Sequence, residues 1–198
     1  TGSHKINNVL GQALLAKRPG NPIIYDPRLT WNTIEVVKSH GGIPVQCKSG
    51  HAFIKEKMRK EEAIYGGEMS AHHYFKDFFY CDSGMIPWLL VLEIMSREGK
   101  PFSTLVEERI RKFPCSGEIN NRVADADTAM EMVRRHFEPL HPLVDTTDGI
   151  SFEFPDWRFN LRKSNTEPVL RLNVEARDSI ARMEEKTREI LRLIQGQG

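Results

Sequence analysis

Short apolar segments alternate with amphipathic segments through the first half of the chain. Apolar residues three or four positions apart predict helices, whereas brief apolar runs bounded by turn residues predict buried strands. Thr30 is placed to cap one helix, and Gly41-Gly42 is placed to end it. This alternation is typical of a largely parallel sheet with flanking helices, so we predict an α/β fold. The predicted strands are Ile23–Tyr25, Ile43–Lys48 and Ala63–Gly66, and the predicted helices contain Ile6–Leu14, Trp31–Val37, Ala52–Glu62, Ile86–Ser96 and Thr104–Lys112.

The pattern changes after Phe113, where predicted strands begin to follow one another with few helices between them. Leu170, Leu172 and Val174 alternate with polar residues, as in a strand that buries one face. We therefore predict a first domain over residues 5–113 and a smaller α+β domain over residues 114–198. Residues 1–4 are expected to be the remnant of a cleaved affinity tag. The strands predicted in the second domain are Glu118–Arg122, Ile150–Phe154, Arg158–Leu161 and Val169–Glu175, and its helices are Asp125–Phe137 and Asp178–Ile194.

Composition and charge exclude several classes of partner. The formal net charge of +1 gives the chain no overall attraction to nucleic acid or to an anionic membrane, so any anion must be bound locally. The longest apolar run, Met85 to Met95, is shorter than the roughly 20 residues that cross a bilayer, and it contains Glu93. Three widely spaced cysteines predict neither disulfides nor a zinc site, and they favour a reducing cytoplasm.

The first candidate site is the segment 66–72, Gly-Gly-Glu-Met-Ser-Ala-His, directly after the third predicted strand. Ligand loops of α/β sheets follow the carboxyl ends of strands. The glycines would let the backbone turn tightly, Glu68 could accept from two sugar hydroxyls, and His72 could move a proton near neutral pH. Joint binding of a metal by His72 and His73 is not expected, because adjacent residues of an extended segment point apart. An ordinary polar surface turn is the alternative interpretation.

The second candidate site is the segment 162–168, Arg-Lys-Ser-Asn-Thr-Glu-Pro, between two predicted strands. Proteins recognise phosphate with a planar cation and several neutral donors arranged around a turn. Arg162 supplies the cation here. A polar hairpin loop is the alternative, since serine, asparagine and threonine are common turn residues. The neutral donors are Ser164, Asn165 and Thr166.

The two segments together resemble motifs of the α-D-phosphohexomutase family. Gly-Glu-Met-Ser-x-His at 67–72 is similar to the sugar-specificity loop of that family, and Met69 is typical of its phosphomannomutase/phosphoglucomutase branch. Arg-x-Ser-Asn-Thr-x-Pro at 162–168 is similar to the phosphate-binding loop of the family. The similarity continues through residues 74–77 and 82–84.

The resemblance implies that the chain is the C-terminal half, the third and fourth domains, of an enzyme that interconverts mannose 6-phosphate and mannose 1-phosphate. It also makes His72 a possible proton shuttle. The phosphoserine segment of the family, Thr-x-Ser-His-Asn-Pro-like, and its magnesium loop, Asp-x-Asp-x-Asp-Arg, do not occur in this sequence, so no catalytic nucleophile or metal ligand is assigned. The residues assigned to the sugar are Arg28, His51, Glu68, Ser70 and His72, and those assigned to phosphate are Arg162, Ser164, Asn165 and Thr166.

The chemistry that the resemblance implies belongs to a longer enzyme. In that enzyme a phosphoserine exchanges its phosphoryl group with a hexose phosphate through a bisphosphorylated sugar, with Mg²⁺ beside the serine and hexose 1,6-bisphosphate as activator. The expected partners are a hexose phosphate and the N-terminal domains of the same chain, and the fragment by itself is expected to be inactive. A stand-alone, non-catalytic sugar-phosphate-binding module is the alternative, and a fragment with little binding of its own is a third hypothesis.

Overall fold

The computed structural model describes residues 19–164 and 169–196. The chain forms two compact units, with the division between Ile110 and Arg111. Among these residues, each unit contains one five-stranded sheet. The helix predicted at Ile6–Leu14 lies outside the described residues, as do Asn165 and Thr166 of the second candidate site. Among the described residues, no helix is long and apolar enough to cross a membrane.

The first unit is a mixed sheet with helices on both faces. Its strands are β1 (Pro22–Tyr25), β2 (Ile43–Gln46), β3 (Tyr65–Gly67), β4 (His73–Phe75) and β5 (Cys81–Asp82), and its helices are α1 (Trp31–Ser39), α2 (His51–Lys60), α3 (Met85–Glu98) and α4 (Phe102–Lys112). The strand order is β2-β1-β3-β4-β5. β1 is parallel to β2 and β3, whereas β4 is antiparallel to both of its neighbours. The carboxyl ends of β1, β2 and β3 therefore lie side by side at one edge of the sheet.

The alternation of side chains in β1 explains why helices cover both faces of this sheet. Ile23 packs with Val37 of α1 and Val91 of α3, while Ile24 packs with Ile54 of α2. Both isoleucines are fully buried. Burial of such a side chain contributes roughly 1.5–3 kcal/mol, so the two clusters anchor β1 between the helix layers.

The hairpin of β4 and β5 is absent from the sequence-based prediction. All three residues of β4 are buried, so the segment shows no alternation of polar and apolar positions. β5 has two residues, which is too short for any periodic signal. β4 pairs with β3, with Tyr65 opposite Phe75, and β5 pairs only with β4, so both strands are defined by backbone contacts between neighbouring segments.

The two glycines of the first candidate site have a different role from the one predicted. Gly66 and Gly67 lie in the extended strand β3, and the left-handed residue of the following loop is Ala71, with φ of 69°. A Cβ atom on Gly66 would lie 2.8 Å from both Ile54 Cγ2 and Met58 Sδ of α2. Gly66 therefore permits close packing between the strand and the helix, and it does not form the turn.

The second unit is an antiparallel sheet with two helices. Its strands are β6 (Ile119–Arg122), β7 (Leu143–Asp145), β8 (Ile150–Glu153), β9 (Trp157–Lys163) and β10 (Val169–Ala176), and its helices are α5 (Ala126–Phe137) and α6 (Ile180–Ile194). The strand order is β6-β10-β9-β8-β7, with antiparallel neighbours throughout. The predicted α/β unit followed by an α+β unit is thereby confirmed. β7 is the strand that the sequence pattern does not predict.

The two faces of this second sheet differ in chemistry. One face packs apolar residues such as Phe159 and Leu172 against Val133 of α5 and Ile190 of α6. The opposite positions of β9 and β10 are polar and also largely buried, and they pair across the strands in register. These pairs are Arg158–Glu175, Asn160–Asn173 and Arg162–Arg171.

Candidate functional site

Three loops at the carboxyl edge of the first sheet meet at the carboxylate of Glu68. Glu68 is only 4% exposed. Its Oε1 accepts from the backbone amide of Gly50 at 2.8 Å, and its Oε2 accepts from the Tyr74 hydroxyl at 2.7 Å. Burial, followed by the neighbouring Glu68 carboxylate, raises the pKa of the Tyr74 hydroxyl, so that hydroxyl stays protonated and donates. The carboxylate is thus held in one orientation at the place where a ligand loop is expected.

A second buried carboxylate, Asp26, joins the loop after β1 to the loop after β3. Asp26 Oδ1 accepts from the Arg28 amide at 3.0 Å, and Oδ2 accepts from Arg28 Nε at 3.0 Å and also from Arg28 Nη2. The same Oδ2 accepts from the Met69 amide at 2.8 Å. Asp26 therefore fixes both the guanidinium group of Arg28 and the backbone beside Glu68.

Arg28 lies at the centre of the predicted sugar-binding set. Its Nη2 is 3.5 Å from Ser70 Oγ and 3.8 Å from Glu68 Oε1, and the residue is 4% exposed. The structure therefore brings three of the predicted residues together. Two acidic groups surround a single guanidinium there, and this favours hydroxyl donors over an anion.

His72 and His73, which are adjacent in sequence, occupy different environments. His72 is exposed, and its Nδ1 hydrogen bonds with Asp82 Oδ2 at 2.7 Å. Burial opposes ionisation of Asp82, but hydrogen bonds from His72 and from the His73 amide outweigh it, and the pKa of the Asp82 carboxyl is lowered. His73 is buried against the Tyr65 hydroxyl, 2.7 Å from its Nδ1, and burial lowers the pKa of His73 to about 4. Of the two histidines, His72 is therefore the one that a ligand can reach.

His51 is the first residue of α2, and its side chain is exposed. It directly follows Gly50, whose amide donates to Glu68. His51 is therefore one residue from the backbone amide that binds the Glu68 carboxylate. Its predicted contact with the sugar remains a prediction.

The second candidate site begins at the end of β9 in the other unit. Arg162 is 7% exposed, and its Nη2 lies 3.3 Å from Glu118 Oε2. The second oxygen of Glu118 lies 3.5 Å from Arg171 Nη1, so one carboxylate pairs with two cross-strand arginines and leaves a net positive charge. The Ser164 amide donates to the Val169 carbonyl at 3.0 Å, between the end of β9 and the start of β10.

The described residues do not form a magnesium site. No group of three or more His, Cys, Asp or Glu side chains among them could hold a metal ion. The buried carboxylates Asp26 and Glu68 are already hydrogen bonded to backbone amides and, respectively, to Arg28 and Tyr74. Mg²⁺ prefers several carboxylate or water oxygens, and these two carboxylates do not offer such an arrangement.

Four residues that support the site are missing from the sequence-based prediction. Tyr74 and Asp82 lie within segments that resemble the family, but their hydrogen bonds with Glu68 and the His73 amide are seen only in the folded chain. The roles of Asp26 and Glu118 come from contacts between distant segments. A pattern that could have indicated Asp26 is its position directly after a buried strand, where polar residues of ligand loops occur.

Comparisons with known proteins show which family the chain resembles. Residues 3–113 match the sequence model of phosphoglucomutase/phosphomannomutase alpha/beta/alpha domain III, and residues 118–193 match that of the C-terminal domain. A protein of Xanthomonas campestris named "Phosphohexose mutases" is 61% identical over 188 residues, which are 95% of this chain and 42% of that protein. An Escherichia coli protein named "Phosphomannomutase" is 59% identical over 189 residues, 96% of this chain and 41% of that protein.

Solved structures show the same relationship. A phosphoglucomutase/phosphomannomutase family protein from Burkholderia thailandensis aligns with a TM-score of 0.78 and 30% identity, covering 98% of this chain and 42% of that structure. An N-acetylphosphoglucosamine mutase from Aspergillus fumigatus, solved with GlcNAc-6P and magnesium, aligns at 0.63 and 12% identity and shares the fold; the match covers 99% of this chain and 44% of that structure. The chain spans about two fifths of the length of these relatives. It belongs to the phosphoglucomutase/phosphomannomutase family, and its residues correspond to domain III and the C-terminal domain.

Proposed function

We propose that this chain is the substrate-binding C-terminal part of a phosphomannomutase that interconverts mannose 6-phosphate and mannose 1-phosphate. The observation that carries the proposal is the buried Glu68 carboxylate, which the Gly50 amide and the Tyr74 hydroxyl hold at the edge of the sheet. The names of relatives that are 59% identical support the choice of mannose. The family membership supports a mutase of hexose phosphates in general.

The sugar is proposed to bind through hydroxyl groups at the first unit. A carboxylate can accept about four hydrogen bonds, so Glu68 has capacity for neighbouring sugar hydroxyls besides the two bonds that orient it. Ser70 can donate to or accept from a hydroxyl, and Arg28 can donate to an oxygen near both residues. His51 is proposed to contact the same sugar, and His72 is proposed to carry a proton to or from a hydroxyl.

The phosphate that is not reacting is proposed to bind at the second unit. Arg162 supplies a buried guanidinium that Glu118 holds from one side, and its Nε has no hydrogen-bond partner among the described residues. Ser164, with Asn165 and Thr166 outside the described residues, would add neutral donors. A guanidinium with several neutral donors suits a dianion, because charge-assisted hydrogen bonds are about twice as strong as neutral ones.

The transfer step itself is proposed to depend on residues outside this chain. The motifs for a phosphoserine and a magnesium loop do not occur in the 198 residues, so the chain by itself is expected to show no mutase activity. The phosphoserine, the Mg²⁺ requirement and the hexose 1,6-bisphosphate activator are therefore proposed to belong to the N-terminal domains of a longer, cytoplasmic enzyme. The two domains of this chain are proposed to be residues 5–113 and 114–198.

Ligand titration tests the binding role directly. Mannose 1-phosphate is titrated by calorimetry into this chain, into Glu68→Gln and into Arg162→Ala, with the exposed Arg134→Ala as a matched arginine control. We expect both site variants to weaken binding roughly tenfold or more, because each removes a charge-assisted contact, while Arg134→Ala binds as the parent does. Identical affinities for all four proteins would contradict the proposed site.

An activity assay separates the proposed function from the stand-alone binding module. The full-length enzyme that contains these residues is expected to convert mannose 1-phosphate when hexose 1,6-bisphosphate is added, and this chain alone is not. Turnover by the chain alone would show that the chemistry does not reside in the missing domains. Binding by this chain, combined with an inactive full-length protein, would favour the non-catalytic module.

A further inference from the structure

We infer that Asp26 is a positioning residue of the sugar site, which keeps the guanidinium of Arg28 from hydrogen bonding with Glu68 and anchors the loop that carries Glu68. This inference rests on the proposed function and adds to it a residue whose role lies in the arrangement of the others. Asp26 is 3% exposed and accepts hydrogen bonds from two separate loops. A buried carboxylate with this many donors is held in a single orientation.

Asp26 and Glu68 compete for the guanidinium of Arg28. Two buried carboxylates face this one cation, since Asp26 Oδ2 accepts from both Nε and Nη2 while Glu68 Oε1 lies 3.8 Å from Nη2. The bonds with Asp26 are hydrogen bonds, whereas 3.8 Å is too long for one. Asp26 thus accepts the hydrogen bonds of Arg28 Nε and Nη2, while Glu68 accepts hydrogen bonds from the Gly50 amide and the Tyr74 hydroxyl.

Asp26 also contacts the backbone of the sugar loop, residues 68–72. The Met69 amide, between Glu68 and Ser70, donates to Asp26 Oδ2 at 2.8 Å. The loop is otherwise closed by two backbone bonds, from the Glu68 amide to the His72 carbonyl at 3.0 Å and from the Ala71 amide to the Glu68 carbonyl at 3.1 Å. Asp26 is therefore a contact that ties this hairpin loop to the end of β1.

Loss of the Asp26 charge has a defined consequence. In Asp26→Asn only one side-chain oxygen remains, and the new NH₂ group would face the donors of Arg28 or Met69. Arg28 would then pair with Glu68, the remaining carboxylate beside it, and occupy acceptor positions that the sugar hydroxyls need. This change weakens substrate binding and leaves the later transfer step largely intact, because the reacting groups are elsewhere.

The test is steady-state kinetics of the full-length enzyme with mannose 1-phosphate. Asp26→Asn is expected to raise KM roughly tenfold to a hundredfold, with kcat changed less than about threefold. The matched control is Glu35→Gln, which removes an arginine partner in the same unit at the contact of Glu35 with Arg109, 2.8 Å apart, between α1 and α4. The control is expected to keep the parent KM, even if both variants lower the thermal unfolding midpoint.

A double-mutant cycle shows whether Asp26 acts through Arg28. In an Arg28→Gln background there is no guanidinium to pair with Glu68, so Asp26→Asn is expected to raise KM several-fold less than it does in the parent. Equal increases in both backgrounds would overturn the inference. The inference would also be overturned if Asp26→Asn had the same KM as the parent enzyme, whatever the effect of the substitution on unfolding.

A second substitution keeps the inference testable if Asp26→Asn does not fold. Asp26→Glu retains the charge and moves the carboxylate by one methylene, so its KM is expected to lie between those of the parent and Asp26→Asn. A KM equal to that of the parent would contradict the positioning role. An inactive parent enzyme would instead refute the proposed function. The two failures are therefore distinguished by the parent protein alone.

Discussion

Burial separates two adjacent histidines that the sequence presents as a pair. His72 is exposed and hydrogen bonded to Asp82, whereas His73 is enclosed with Tyr65. Because the backbone is extended where β4 begins, neighbouring side chains leave on opposite sides and do not converge on one metal ion. The physical consequence is that the imidazole of His72 is open to solvent and to a ligand, whereas burial keeps the imidazole of His73 neutral.

The stability of the chain is expected to depend on pH through His73. Burial lowers the pKa of His73 from 6.5 to about 4, so between these values the unfolded chain binds a proton that the folded chain does not. Stability contributed by neutral His73 is therefore lost as the pH falls through this window, by at most about 3 kcal/mol. Urea unfolding at pH 7 and pH 5 measures the change. His73→Gln is expected to show a smaller drop than the parent, and an unchanged drop would contradict the assignment.

Asp82 is expected to affect kcat through its hydrogen bond with the His72 imidazole. Asp82→Asn keeps an oxygen that can accept from the His73 amide, but it loses the charge that holds the His72 imidazole. In the full-length enzyme we predict a fall in kcat of roughly tenfold or more if His72 moves a proton. The control is the same substitution in a His72→Gln background, where it should have little further effect. Additive losses would show that Asp82 acts independently of His72.

At the scale of elements, close backbone approaches explain features that hydrophobic pattern does not show. Gly149 precedes β8 with φ of 73°, and a Cβ atom there would collide with the Leu161 carbonyl oxygen and lie 2.6 Å from Arg162 Cβ. This glycine lets the loop lie directly against β9, next to the arginine of the second candidate site. A side chain at this position would push away the strand that presents Arg162.

Gly149→Ala is predicted to destabilise the second unit more than an alanine at another left-handed glycine. Gly117 has φ of 71°, and a Cβ atom added to it would meet no other atom within 4 Å. Gly117→Ala therefore reports the cost of the backbone conformation alone, about 1 kcal/mol. Gly149→Ala should cost about 1–3 kcal/mol more because of its contacts. Chemical denaturation of the two variants gives the difference, and equal costs would show that the loop relaxes without disturbing β9.

At the scale of the whole molecule, the hydrophobic clusters follow the division into two units. The clusters around Ile23, Ile24 and Ile94 draw their residues from the first unit, and the cluster around Phe137 and Phe159 draws its residues from the second. Each unit therefore has a core of its own among the described residues. Domains with separate cores can respond separately to a core substitution.

Phe137→Ala is predicted to destabilise the second unit by about 3–5 kcal/mol. Phe137 is fully buried, with ring centroids 5.4 Å from both Trp157 and Phe159. Hydrogen exchange should show faster exchange of the β9 amides and unchanged exchange of the β1 amides. Met132→Ala on the same helix, at a position 37% exposed, serves as the mild control. Faster exchange in β1 would show that the two cores are energetically coupled.

The sequence by itself determined the order of the larger elements, the fold class and the family, since long periodic segments and two motifs depend on residue types that are close together in the chain. It also indicated Glu68, Ser70, His72 and Arg162, whose chemistry is visible in the motifs. The tertiary structure decided what surrounds them. Contacts between segments that are separate in sequence decide how Tyr74 orients Glu68, how Asp26 binds Arg28 and Met69, and how Glu118 pairs with two arginines. Such contacts also define the short strands β4, β5 and β7. Local pattern carries no information about such contacts, because burial and hydrogen-bond partners are fixed only when the strands have paired and the helices have packed.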